Sequence, residues 1–294
     1  HDPLVRFHEV PSILMHLARC RAPVIERQHA RRDPLRVNAV TDGVSTNGRD
    51  EYVNMFAHGC GVEPVNSDHF DYTSSKKPIV LRGILKHKIM KQCWADGRDF
   101  YYVDTGYFGN GRWKTWHRIV KNNLQHGDIV ARPDDRWKKF NKKFLPWRKT
   151  GRDILLAAPD EKPCKFYGID LETWIAETVH TIKQHTDREI VVRLKQGRAE
   201  RMTTDTIEMA LDQDIHCLVT FSSIAATEAL LYGKPAITLG PNAAAPLCSQ
   251  SLSEIEKPNV PTLDEVYAWA KSLAYCQFTE KEMCDGVAWR ILNE

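Results

Sequence analysis

"VTFSSIAATEALLYGKPAI" runs from Val219 to Ile237, and the rest of the chain is read outward from it. Its first residues close a β-branched, apolar strand that starts near Ile215. A Ser222-Ser223 turn follows, then an Ala- and Leu-rich helix, and Gly233-Lys234-Pro235 turns the chain into a second strand over 235–240. This is a parallel βαβ unit, and in an open parallel sheet the ligand lies beyond the carboxyl ends of the strands. The serine turn is such an end. Free N–H groups at a helix start attract a diphosphate, and the serine hydroxyls add donors. Glu228 sits roughly one and a half turns into the helix. A carboxylate there repels phosphate but accepts both hydroxyls of a ribose. Turn and glutamate together therefore suit a nucleoside diphosphate. The bland alternative is a buried, locally satisfied glutamate in a structural helix.

The same alternation extends on both sides. Strands are expected over 153–159, 188–195 and 215–223, with helices over 170–186 (behind an Asp170 cap), 203–213, 262–275 and 279–294; the last two open on threonine caps. In the first half, strands are expected at 37–43, 76–85 and 99–111, and helices at 49–61 and 86–97. The fold class is α/β: two Rossmann-like, doubly wound parallel-sheet domains, 1–150 and 151–294, facing across a cleft and joined near Pro146–Gly151. The 294 residues suffice for two such units.

Charge divides with the halves. Residues 1–150 carry 27 Lys and Arg against 16 Asp and Glu, whereas the remainder carries 14 against 22. A basic first half suggests an anionic acceptor, or simply segregated solvated faces. The eight cysteines are scattered with no C-x-x-C pair, so neither a disulfide framework nor a zinc site is expected. There is no run of the roughly 18 apolar residues that span a membrane, and His1-Asp2-Pro3 does not open a leader pattern. A cytoplasmic setting, that of the host cell if the protein is viral, is the expectation. No metal site is expected: H-E-x-x-H, EF-hand and Walker A patterns are absent, and the adjacent Asp134-Asp135 pair reads as solvated.

Ser223, Glu228, Ala229, Gly233 and Pro235 follow the Ser-x-x-x-x-Glu-Ala-x-x-x-Gly-x-Pro pattern, and on these residues the chain resembles GT-B glycosyltransferases. The resemblance implies a nucleotide sugar, most simply UDP-linked, as co-substrate. It is bound mainly by the second domain, through Ser222, Ser223, Thr227 and Glu228. The stretch is also similar to capsule-polysaccharide glycosyltransferases and nucleotide-sugar 2-epimerases, which often carry His-Pro after the strand that here ends with Arg193 and Lys195. This chain departs from them there, and its two cations suit the diphosphate instead.

Transfer to a hydroxyl calls for a base at the end of a first-domain strand. Asp104, after "FYYV", is the first candidate, Asp42 the second and His117 the third. Residues 112–149 carry 12 Lys and Arg against 3 acids, with four tryptophans. Arg112, Trp113, Lys114, Trp116, Arg118, Lys121, Arg136, Trp137, Lys138 and Lys139 are therefore candidates for contact with double-stranded DNA, the cations on phosphates and the aromatics as stacking or wedge groups. In these parts the chain resembles viral DNA glycosyltransferases that decorate 5-hydroxymethylpyrimidines, which makes hydroxymethylcytosine in phage DNA the favoured acceptor. The alternatives are a capsule or envelope polysaccharide glycosyltransferase, a non-catalytic DNA-binding module on the same fold, and a nucleotide-sugar epimerase. A basic linker with core tryptophans is the structural alternative for 112–149.

Overall fold

A computed structural model describes residues 37–41, 51–66, 69–84, 87–108, 115–148, 151–197, 200 and 203–294. In chain order the first half contributes β1 (Asn38–Thr41), α1 (Glu51–Cys60), β2 (Val65–Asn66), β3 (Ile79–Arg82), α2 (His87–Asp96), β4 (Phe100–Thr105), β5 (His117–Lys121) and the short α3 (Asp135–Lys138). The second contributes β6 (Asp153–Ala157), α4 (Glu161–Tyr167), α5 (Leu171–Lys183), β7 (Ile190–Arg193), α6 (Ile207–Leu211), β8 (Ile215–Thr220), α7 (Ala225–Leu231) and β9 (Ala236–Thr238). The chain closes with α8 (Leu263–Ala274), β10 (Gln277–Phe278), α9 (Glu280–Cys284) and α10 (Val287–Leu292).

Two sheets result, ordered β10-β5-β4-β3-β1-β2 and β7-β6-β8-β9. The second is parallel throughout. In the first, β2, β1, β3 and β4 are parallel, while β5 and β10 add antiparallel strands at one edge. Counting strands within each half, both parallel parts have the order second-first-third-fourth, the doubly wound arrangement expected from the strand-helix spacing.

The strands are apolar on both faces because helices cover both. Side chains alternate across a strand, so each strand feeds two cores. In β4, Tyr101 and Val103 join Val53, Phe56 and Met283 on one face, while Phe100 and Tyr102 join Met90, Cys93 and Phe166 on the other. In β6, Leu155 and Ala157 pack with Leu230, Trp269 and Leu273, and Ile154 and Leu156 with Ile182 and Ile255.

The chain crosses between the sheets twice. Going out, residues 144–148 run along the end of α7: the Leu145 N–H donates to the Leu231 carbonyl (2.8 Å) and the Arg148 N–H to that of Gly233 (2.9 Å). Gly233 is required there. Its φ is +63°, and a Cβ on it would lie 2.2 Å from the Pro146 carbonyl oxygen. Coming back, α8 packs on the second sheet, and then β10 pairs with β5 while α9 and α10 cover α1. The helix expected over 279–294 is therefore two helices. It breaks at Gly286 (φ +72°), where the backbone approaches Gly59 so closely that a Cβ on Gly59 would meet the Met283 carbonyl oxygen at 1.9 Å. Tyr107, Phe108, Trp116, Trp137 and Phe140 share one hydrophobic cluster with α7 and α8, so the two halves have a common core.

Candidate functional site

In the second sheet the chain moves from β6 to β7 on one side and then to β8 on the other. The crevice beyond Ala157 and Thr220 is thus the point where the winding reverses. The Thr220 hydroxyl ties the two strand ends together by donating to the Ala157 carbonyl (2.7 Å). The serine turn after β8 is held from several sides. Asn242 Nδ2 donates to the Ser223 carbonyl (2.9 Å), and the Ser223 hydroxyl accepts from the Ala225 N–H (3.2 Å). The Phe221 ring packs on Gly240, where a Cβ would stand 2.6 Å away, and lies edge-on to Tyr167 (5.2 Å) and Trp174 (6.4 Å). Ser222, Ser223 and Glu228 are half-buried around this turn. With seven residues, α7 has a short dipole, so binding here depends on the turn and side chains more than on the helix field.

Thr227 does not belong to this surface. It is wholly buried, its Oγ1 has no hydrogen-bond partner, and it faces the core beneath α7. The expected donor contact is withdrawn on that ground. Arg193 and Lys195 do flank the crevice, each already bound to an acid. Arg193 Nη2 meets the Asp205 carbonyl at 2.6 Å and its carboxylate at 3.2 Å. Lys195 Nζ meets Asp160 Oδ2 at 2.5 Å, while Asp160 Oδ1 caps α4 through the Glu161 N–H (3.0 Å). Burial pushes the Asp160 carboxyl up, but Lys195 and the cap outweigh it and hold the group below its ordinary range.

The first sheet reverses its winding between β1 and β3. At the carboxyl ends of its strands lie Arg82 from β3 and Asp104 from β4, with His117 and Arg118 brought alongside by antiparallel pairing: Asp104 faces Arg118, and Thr105 faces His117. Asp104 accepts from the Tyr102 hydroxyl (2.9 Å), the Thr105 N–H (2.7 Å) and Arg118 Nη2 (3.0 Å). Burial raises its proton affinity; Arg118, the Thr105 amide and nearby Arg82 more than reverse this, so the carboxyl stays ionised well into acid. Three of roughly four acceptor positions are filled, leaving one on Oδ1. His117 is fully buried, its ring 3.7 Å from that of Tyr52, over which the Arg82 guanidinium sits at 4.1 Å. Asp42 lies outside the described residues. Tyr52, Arg82 and Tyr102 were not anticipated. Arg82 had a usable signal, because it ends β3 as Asp104 ends β4. Tyr102 had one as well, since it lies two residues before Asp104 on the same face of β4; Tyr52 had none, since its contacts are tertiary.

The two crevices are linked through α4. Phe166 enters the first-sheet core, while the neighbouring Tyr167 packs on Phe221 and feels the Arg118 charge.

Four of the expected contacts in 112–149 are structural rather than part of a nucleic-acid surface. Trp137 (3% exposed) and Trp116 (9%) pack among Phe108, Phe140 and Phe144, so neither can stack on a base. Arg118 (6%) is committed to Asp104 and the Thr105 carbonyl. Arg136 (3%) forks onto Glu282 at 2.9 and 3.0 Å and also donates to the Ala274 and Gln277 carbonyls. These four expectations are corrected: burial leaves them no face for DNA. Lys121, Lys138 and Lys139 are exposed, paired with Asp99, Asp134 and Glu282 respectively. Arg112, Trp113 and Lys114 lie outside the described residues. Among the described residues no group of three His, Cys, Asp or Glu is placed to hold a metal ion, and no helix is long and apolar enough to cross a membrane.

No protein-family model matches this chain and no curated protein matches it. Among solved structures it is similar to the beta Kdo 2,4 transferase of Thermosulfurimonas dismutans KpsC, at 14% identity and a TM-score of 0.46, over 80% of this chain and 90% of that one. It is also similar to the beta Kdo 2,7 transferase of the same organism's KpsC, at 11% identity and a TM-score of 0.44, over 87% and 98%.

Proposed function

We propose that the protein is a glycosyltransferase that moves a sugar from a nucleotide-sugar donor, UDP-linked in the simplest case, to a hydroxyl on an anionic acceptor. The observation that carries this reading is the serine turn at the winding reversal of the second sheet, braced by Asn242 and Phe221, with Glu228 following it. In this reading Ser222, Ser223 and the turn amides hold the diphosphate, and the Glu228 carboxylate takes the ribose hydroxyls. Arg193 and Lys195 exchange their acids for phosphate oxygens. That exchange is cheap for Lys195, because exposed ion pairs contribute only about 0–1 kcal/mol.

Asp104 accepts the proton of the acceptor hydroxyl through its remaining Oδ1 position. Arg118 and Tyr102 fix the carboxylate, and the Arg82 charge draws an anionic acceptor toward it. In balance, the acceptor oxygen bonds to the anomeric carbon, the bond from that carbon to the diphosphate breaks, and the proton passes to Asp104.

Hydroxymethylcytosine in viral DNA and an acidic capsule- or envelope-type glycan are the two acceptors to test. Burial of Trp116 and Trp137 removes two aromatics a base-exposing enzyme would use, which favours testing the glycan on equal terms. The experiment incubates the full chain with a panel of nucleotide sugars and each acceptor, followed by mass spectrometry of nucleosides and oligosaccharides. A sugar-mass increment on either acceptor is expected. If no donor is consumed and none of the nucleotides binds, the reading fails.

A further inference from the structure

A second polar cavity lies beside β5, at the opposite end of the first sheet's strands from Asp104. β5 is antiparallel to β4, with His117 opposite Thr105 and Lys121 opposite Tyr101. Its far end is thus roughly 13 Å from the Asp104 edge, at about 3.3 Å per strand residue. There the segment 122–132, the end of α8 and the end of α10 enclose about 460 Å³.

The wall is fixed before any ligand arrives. Ser272 Oγ donates to the Asp128 carbonyl (3.1 Å), accepts from the Val130 N–H (3.0 Å) and stands 2.9 Å from His126 Nε2. The His126 N–H donates to the Tyr107 hydroxyl (2.9 Å). Asn122, at φ +59°, is pinned to Asp99 (2.7 Å) and the Phe100 N–H (2.8 Å). Burial lowers the His126 proton affinity, so that ring is neutral.

Two groups in this fixed wall lack counterparts. Gln125 Oε1 is buried with no donor in reach, an unsatisfied acceptor that costs about 1–3 kcal/mol. The Arg132 guanidinium lies 4.9 Å from the Tyr275 ring centroid and makes no ion pair among the described residues. The Asp128 side chain adds a carboxylate acceptor and Ile291 an apolar face. An anion for Arg132, hydroxyls for Gln125 and Asp128, and a carbon-bearing face for Ile291 belong together in one kind of molecule.

We infer that this cavity binds a saccharide carrying one anionic group, either a sugar phosphate or a sugar carboxylate. The inference does not rest on the proposed transfer reaction, since it uses none of the residues at the two crevices. The test is calorimetric titration of the full chain with glucose 6-phosphate, glucuronate, glucose and inorganic phosphate, and with UDP on the same sample. Saturable binding of at least one acidic sugar is expected, with glucose and inorganic phosphate each weaker by about tenfold or more, the size of a lost charge-assisted contact.

Arg132→Gln, at a half-buried side chain, should weaken the acidic sugar about tenfold; Gln125→Leu should weaken it severalfold while raising the thermal midpoint, because the orphaned acceptor is gone; both should leave UDP binding unchanged. Preference for the phosphate or the carboxylate sugar names the source. The inference is overturned if neither acidic sugar binds, if glucose or inorganic phosphate binds as tightly, or if both variants bind like the parent. The UDP titration reports separately on the donor crevice, so one reading can fail without the other.

Discussion

Glu228, one turn into α7, and Asp104, at the end of β4, are both carboxylates near the carboxyl ends of parallel strands, but their surroundings give them different chemistry. Glu228 stands half-buried behind the serine turn, where an acceptor for hydroxyls is useful. Glu228→Ala should weaken UDP binding by roughly 10- to 100-fold, the range of hydrogen bonds to a charged group, at about 1.5–3 kcal/mol. Calorimetry checks this, and equal titrations of mutant and parent would remove its assigned role. Asp104 carries a cation, an amide and a hydroxyl on its oxygens, which hold its pKa down. Its depressed folded pKa has two consequences. The ionised form persists on acidification until pH falls through the folded value. The stability from its pairing is complete above the unfolded value of about 3.9 and is lost below it. The acid limb of kcat/KM should therefore lie below about pH 5. A limb between pH 6 and 7 would point to another base.

At the scale of elements, the segment 115–148 shows how composition misdirects. Its cations and tryptophans read as a nucleic-acid surface, yet Trp137 fills the joint core beside Phe108 and Phe144, and Arg136 staples α3 to Glu282 of α9. A binding role and a core role make opposite predictions for Trp137→Ala. The core role predicts a loss of about 3–5 kcal/mol of stability, read as a lower midpoint in chemical denaturation. A variant of unchanged stability would return Trp137 to the surface. Caps behaved more simply: Asp170, Thr262 and Thr279 each accept an N–H from the first turn of their helix, because capping is a local interaction.

In the whole molecule, the C-terminal return is what joins the halves. β10 carries Phe278 into the first-sheet core, α9 and α10 add Met283 and Ala288, and Gln277 accepts from the Tyr107 and Phe108 N–H groups at 2.6 and 2.9 Å. Deleting 276–294 should therefore unfold the first half, although the deletion lies in the second half of the sequence. Limited proteolysis should show cuts within 37–108 that the full chain resists; an unchanged pattern would mean that the first sheet stands without its tail. What the sequence determined by itself is what periodicity and turn chemistry encode locally: the α/β class, the two windings and the serine turn, whereas the strands expected over 99–111 and 215–223 stop at Thr105 and Thr220. The tertiary structure alone decided which cations were already neutralised, which aromatics were core, and that β5 and β10 exist as strands. Gln277–Phe278 is too short to announce itself and becomes a strand only because it pairs with β5, far away in the chain, while His117–Lys121 is fixed as a strand by antiparallel pairing with β4.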